Sequence, residues 1–178
     1  PVFSLNIIWQ LAVLSLLLSA LAIGFAHSLH FSEKLAHKLF KNPYLRITVG
    51  GAILLLLTIL IGNQDYNGAG IGVIERIFDP NYFSPNSLDY SPFAFILKLI
   101  FTCIAVSTGF KGGEIVPTFC IGATFGCVLG GFLGLDPGMS AALGLIGLFC
   151  CATNAPLASI MLSVEMFGAG NLHFFALM

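Results

Sequence analysis

The chain has 178 residues, 57% of them hydrophobic and 8% charged, with a mean hydropathy of +0.97, whereas soluble domains give about a quarter of their residues to Asp, Glu, Lys and Arg. That balance excludes an ordinary soluble domain and implies an integral, multi-pass membrane segment embedded in a lipid bilayer. A net charge of -1, with no Lys/Arg-rich stripe and no stacking aromatics in a recognition motif, excludes nucleic-acid binding.

In chain order, uncharged runs able to cross a hydrocarbon core of about 30 Å occupy Val2–Ala26, Ile47–Gln64, Ile115–Leu135 and Pro137–Val164. Helices are predicted at 5–31, 33–41 (short and interfacial), 43–63, 70–78 (short), 92–108, 117–134, 138–151, 155–167 and from 171 onward. Polar residues followed by proline mark several starts, because proline lacks the N–H that a first turn leaves unbonded anyway. Asn42-Pro43, Ser91-Pro92 and Asp136-Pro137 are of this kind, and Asn154-Ala155-Pro156 is a variant shifted by one. Predicted helices of 12–14 residues suit tilted, broken or re-entrant elements better than full spans. The fold class expected is therefore all-α, a polytopic membrane bundle.

The segment from Glu33 to Arg46 carries Lys34, Lys38, Lys41 and Arg46 against one acid, which places it on the cytoplasmic side and the loops near 64–70 and 79–90 toward the outer face. The chain starts at Pro1 without an initiator Met or charged leader, and its last apolar run breaks off after about two turns; a partial membrane domain truncated at both ends is the expectation. Cys103, Cys120, Cys127, Cys150 and Cys151 lie in apolar text without paired C-x2-C spacing, so free thiols are expected rather than a metal site. His27 and His30 read as interfacial, Trp9 as an interface anchor, and Glu165 as a carboxyl capping a nearby helix start. Gly122, Gly126, Gly130 and Gly134 repeat at every fourth position, the pattern of a groove that lets a neighbouring helix approach closely.

The functional clue is Gly109-Phe110-Lys111-Gly112-Gly113-Glu114-Ile115-Val116-Pro117, a charged, glycine-bearing loop between two uncharged stretches. Charges at such depth are costly and mark pathways. Consecutive glycines can turn backbone N–H groups toward one point, and a helix starting at Pro117 would aim the positive end of its dipole there. Such a site holds an anion by partial charges and so also releases it. The bland alternative is an interhelical hinge with a snorkelling Lys111.

The run Ser107 to Pro117, with Ile121-Gly122-Ala123, Asn154 to Ile160 and Val164-Glu165-Met166, resembles the second half of the CLC family of chloride channels and anion/proton antiporters. The resemblance implies the second inverted repeat of that fold over residues 1–178. The family's Gly-x-Phe-x-Pro motif aligns with Gly113 to Pro117, so main-chain amides of Gly113, Glu114, Ile115 and Val116 would face the ion. Gly109, Gly112 and Pro117 would set the loop geometry, and Lys111 would contribute electrostatically. Tyr66-Asn67-Gly68-Ala69-Gly70 resembles the family's glycine-rich turn before a short helix.

This sequence departs from the family pattern: Ile115 stands for the usual Phe, and Glu114 for an apolar residue. A carboxylate there would repel an anion unless protonated, turned away or paired with Lys111. The Gly-Gly-Glu variant resembles the fluoride/proton antiporter branch and makes Glu114 a candidate proton carrier, while Val116 lacks a hydroxyl associated with that branch. Chloride or fluoride would be the transported ion, with protons for an antiporter, and no further cofactor or metal is implied. The family's serine motif, gating-glutamate motif and late tyrosine do not occur here, so the N-terminal half of the same protein would be a required partner. A homodimer through 155–167 and 171 onward, in the plasma membrane, is also implied. An intramembrane enzyme finds no Gly-x-Ser-x-Gly or His-Glu-x-x-His, and a non-transporting scaffold gives no reason for Lys111 and Glu114.

Overall fold

The computed structural model describes residues 5–62, 66–68, 70–79, 94–110, 112, 115–168, 170 and 172–177. These form eight helices: α1 (Leu5–Leu39), α2 (Pro43–Ile61), α3 (Ile71–Phe78), α4 (Ala94–Thr108), α5 (Ile115–Leu133), α6 (Pro137–Thr153), α7 (Pro156–Phe167) and α8 (Leu172–Leu177). The all-α class holds among the described residues. Parts of α1, α2 and α5 are long and apolar enough to cross a membrane. Helices α4, α6 and α7, of 15, 17 and 12 residues, reach about 18–26 Å at roughly 1.5 Å per residue and fall short of the hydrocarbon thickness.

Capping explains several boundaries. The Asn42 side chain accepts from the Tyr44 N–H at 3.3 Å, and Asp136 Oδ2 from the Met139 N–H at 3.0 Å, as expected of polar residues before proline. Asn154 acts differently from the expectation. It takes a left-handed conformation at the end of α6 (φ 53°, ψ 39°), while Ala155 precedes Pro156 with no side-chain cap. Asparagine tolerates that conformation, so it closes one helix instead of opening the next. The predicted break near residue 32 is also absent, and α1 runs 35 residues because neither Gly nor Pro interrupts it there. The Ser91-Pro92 start lies outside the described residues.

Helices α5 and α6 are the most extensively packed pair, and α1, α3 and α7 lie against them. Small residues permit this: a Cβ at Gly122 would run into the Gly144 carbonyl, one at Gly126 would lie 2.8 Å from Gly144 Cα, and one at Gly130 would strike Ser140. Gly134 does not continue the groove. Its φ is +73° and nothing lies within 4 Å of its Cβ direction; it ends α5, with the Leu135 N–H bonded to the Gly130 carbonyl at 2.9 Å in the 6→1 pattern of a glycine-terminated helix. Phe119 and Phe149, with ring centroids 5.3 Å apart, extend the α5–α6 contact. Phe95 meets Phe125 edge-on at 5.0 Å between α4 and α5. By contrast α2 buries only Gly50, against Thr108 of α4, and presents Leu55, Leu56, Ile59 and Leu60 outward.

Among the other residues marked by sequence, Trp9 is 60% exposed and Cys103, Cys120 and Cys127 are buried free thiols. Glu165 is exposed in the last turn of α7, about 13 Å along the helix from its start at roughly 1.5 Å per residue, and caps no helix start among the described residues.

Close α5–α6 contact gives a direct expectation. Gly126→Val should cost about 1–3 kcal/mol or more by overpacking and lower the thermal midpoint in detergent by several degrees. Gly131→Ala, at a glycine with open space around it, should leave the midpoint unchanged or raise it.

Candidate functional site

Helix α4 ends at Thr108, and the chain turns through Gly109, whose φ of +99° only glycine adopts without strain. A Cβ there would sit 3.5 Å from Ile47 Cγ1 and 3.6 Å from Arg46 Nη2, so this end of the loop abuts the start of α2. Arg46 also reaches His37 of α1 at 2.7 Å, which puts the loop entrance at the basic end of the bundle. The Phe110 N–H bonds to the Ala105 carbonyl at 3.1 Å and the Gly112 N–H to the Phe110 carbonyl at 2.9 Å. Thus the Gly112 amide is already occupied within the loop. Lys111, Gly113 and Glu114 lie outside the described residues.

Helix α5 begins at Ile115, two residues before the predicted start at Pro117. The shift follows from chemistry: the first four N–H groups of any helix lack intrahelical acceptors, so proline costs nothing at the third position. Among the described residues, the Ile115 and Val116 N–H groups have no acceptor. Thr118, 2% exposed, returns its hydroxyl to the Ile115 carbonyl at 2.5 Å and leaves those amides alone. A 19-residue helix thus has at its start the positive end of its dipole and two donors without an acceptor among the described residues.

Two cavities meet this first turn. One, of about 430 Å³, is bounded by Gly112, Val116 and Pro117 on the loop side and by Tyr66, Gly68, Lys98 and Thr102 opposite. The other, of about 550 Å³, is bounded by Ile115 and Thr118 with His30 and Glu33 of α1 and Thr153 of α6. Side chains of successive α5 residues therefore look into different spaces.

Lys98 is not among the residues the motifs mark. It is the lone charge on α4, yet it is only 1% exposed, and its Nζ donates to the Tyr66 carbonyl at 2.9 Å and the Gly68 carbonyl at 2.6 Å. The signal available in the sequence is a solitary lysine inside an uncharged helix. Its partners belong to the Tyr66–Gly70 turn before α3, where Gly68 and Gly70 have φ of +62° and +74°. A Cβ at Gly70 would lie 2.9 Å from Cys120 Sγ and 3.2 Å from Lys98 Cε, so this turn, α4 and α5 touch at one place. His27 and His30 stay on the exposed surface of α1.

A helical bundle with long apolar helices, in which a glycine-rich turn and the α4–α5 loop meet around one cavity near the start of α5, has the architecture of a polytopic membrane protein. Residues 1–178 match the family described as "Voltage gated chloride channel", and the chain belongs to it. A chloride/fluoride channel protein of Pseudomonas syringae pathovar tomato is 32% identical over 148 residues, 81% of this chain and 31% of that protein. The H(+)/Cl(-) exchange transporter ClcA of Vibrio campbellii is 27% identical over 171 residues, 91% of this chain and 36% of that one. A crystal structure of a CLC-type fluoride/proton antiporter superposes with a TM-score of 0.91 at 32% identity, covering 99% of this chain and 43% of that one. The chain thus spans roughly a third of the curated relatives it matches. Members of this family are multi-pass integral membrane proteins, as the long apolar helices require.

Gly109→Ala should test the loop's backbone requirement. Placing a Cβ at that φ costs about 1–2 kcal/mol, and the thermal midpoint of the complete protein in detergent should fall by a few degrees. An unchanged midpoint would show that the loop relaxes to another conformation.

Proposed function

We propose that the chain is one half of a CLC-type anion transporter and supplies one wall of its anion route, with the start of α5 as the anion site. The observation that supports this reading is that, among the described residues, the Ile115 and Val116 amides at the start of α5 meet no acceptor, with Val116 bounding the 430 Å³ cavity. An anion there would meet aligned N–H donors and a helix dipole. Partial charges of this kind hold an ion without trapping it. Gly113 and Glu114 would complete the ring of amides, with Gly109, Gly112 and Pro117 shaping it and Lys111 adding positive charge. No enzymatic chemistry is proposed, and no cofactor beyond the transported ion.

Within this reading, fluoride/proton antiport is favoured over chloride transport by two findings. The Gly112-Gly113-Glu114 sequence would put a carboxyl beside the proposed anion site, and the fluoride/proton antiporter structure covers 99% of this chain. Glu114 would then carry the proton. The other half of the membrane domain would be supplied by the same protein in the plasma membrane. A second copy would pack on the late helices 155–167 and 171 onward, a role suited to α7, where Leu157 is 79% and Met161 72% exposed.

Crystals of the complete protein soaked in bromide should show anomalous density beside residues 113–116, and density confined to surface lysines would refute the site. In liposomes, Glu114→Gln should preserve anion flux while reducing proton flux at least tenfold; unchanged stoichiometry would remove Glu114 from the proton route.

A further inference from the structure

Lys98 is the most deeply buried charge among the described residues, and the site as read from motifs makes no use of it. The alkyl stem packs beside Gly70 and Cys120, and Nζ spends two of its three N–H donors on the Tyr66 and Gly68 carbonyls. Among the described residues no carboxylate pairs with it. Carbonyl dipoles satisfy hydrogen bonds without cancelling a full charge, so among the described residues nothing neutralises the ammonium in the wall of the 430 Å³ cavity that Val116 and Pro117 also bound.

Tying down a glycine turn does not call for a cation. A neutral amide also donates two hydrogen bonds, and burying it in a membrane bundle costs much less than burying an ammonium. The charge itself is therefore what the lysine adds. We propose that Lys98 is the fixed cation of the anion route, acting through the field it sets in the cavity before α5 rather than by ligating the ion. This inference rests on the anion-transport reading above. Walls of low dielectric strengthen that field and concentrate anions in the cavity. Because the two carbonyls hold Nζ in place, the ammonium cannot fold down on the ion and trap it at the amides.

The test uses the complete protein, with fluoride and chloride binding measured by calorimetry and flux measured in liposomes. A unit charge about 10 Å from an ion, at an effective dielectric constant of about 20, changes affinity on the order of tenfold. Lys98→Gln, which keeps two donors, should weaken binding of the transported halide by about that factor and slow its flux. Lys98→Arg should stay within about threefold of the unaltered protein. A folded Lys98→Gln protein with undiminished affinity would overturn the proposal, as would an arginine variant as weak as the glutamine one. Should the neutral variant not fold, Ala105→Lys decides, since Ala105 lines the same cavity. A second cation on that wall should tighten binding several-fold, and unchanged affinity would sink the idea. An unaltered protein that binds neither halide would instead overturn the transport reading itself.

Discussion

Inside a bilayer every backbone N–H and C=O must find a partner within the protein, because hydrocarbon supplies none. Helices that stop short of the far side therefore create donors and acceptors that the rest of the fold has to accommodate. The chain meets this demand in two ways. Asn154 and Gly134 close helix ends by turning left-handed, and the Leu135 N–H takes up the Gly130 carbonyl. Lys98 supplies donors to the carbonyls of the turn before α3. At the start of α5 the Ile115 and Val116 amides are left without acceptors among the described residues. The start of α7, where Ala155 offers no side-chain cap, shares this condition, so an open helix start alone does not set α5 apart; what distinguishes it is the cavity it shares with the Lys98 turn.

The position of that open end depends on the α5–α6 contact. With Gly126 and Gly144 so close that neither backbone admits a Cβ, the two helices are fixed to each other as one block. Aromatic contacts then carry the constraint outward, through Phe95 and Phe125 to α4 and through Phe78 and Phe167 between α3 and α7 at 5.4 Å. The Lys98 turn and the loop after Thr108 are both referred to this block, because each is anchored on α4. Displacing α5 along α6 by one residue would move the amides by about 1.5 Å, enough to misplace hydrogen-bond donors.

Much of this was readable from local chemistry. The caps at Asn42 and Asp136 depend on residues two or three positions away, and the loop at Gly109 to Pro117 announces itself by charge within apolar text. Nonlocal features were not readable. The partners of Lys98 lie 32 and 30 residues away in sequence, so spacing gives no hint of them. Gly134 misled for a geometric reason: at about 3.6 residues per turn, glycines four apart drift about 40° per step and about 120° over three steps. The fourth glycine has thus rotated off the face that the first three share and becomes free to end the helix. Asn154 suited two roles, and only the conformation of the α6–α7 junction selects one.

The two kinds of positive potential near this cavity differ in a way that bears on the proposed transport. Helix amides act over a few ångströms, are strongly directional, and offer a stripped ion substitutes for its lost water. A buried ammonium acts over a longer range and has little directionality once carbonyls hold it. An ion route needs both, because long-range attraction without ligands gives no selectivity and ligands without attraction are rarely reached. In the proposed route, placing them on different elements, α5 for the amides and α4 for the lysine, would keep the strongest charge from becoming the tightest binding site. The glycine turn that occupies Lys98 is then more than a connection to α3, since its carbonyls hold the ammonium in the cavity wall and, in the proposed route, would keep it away from the ion.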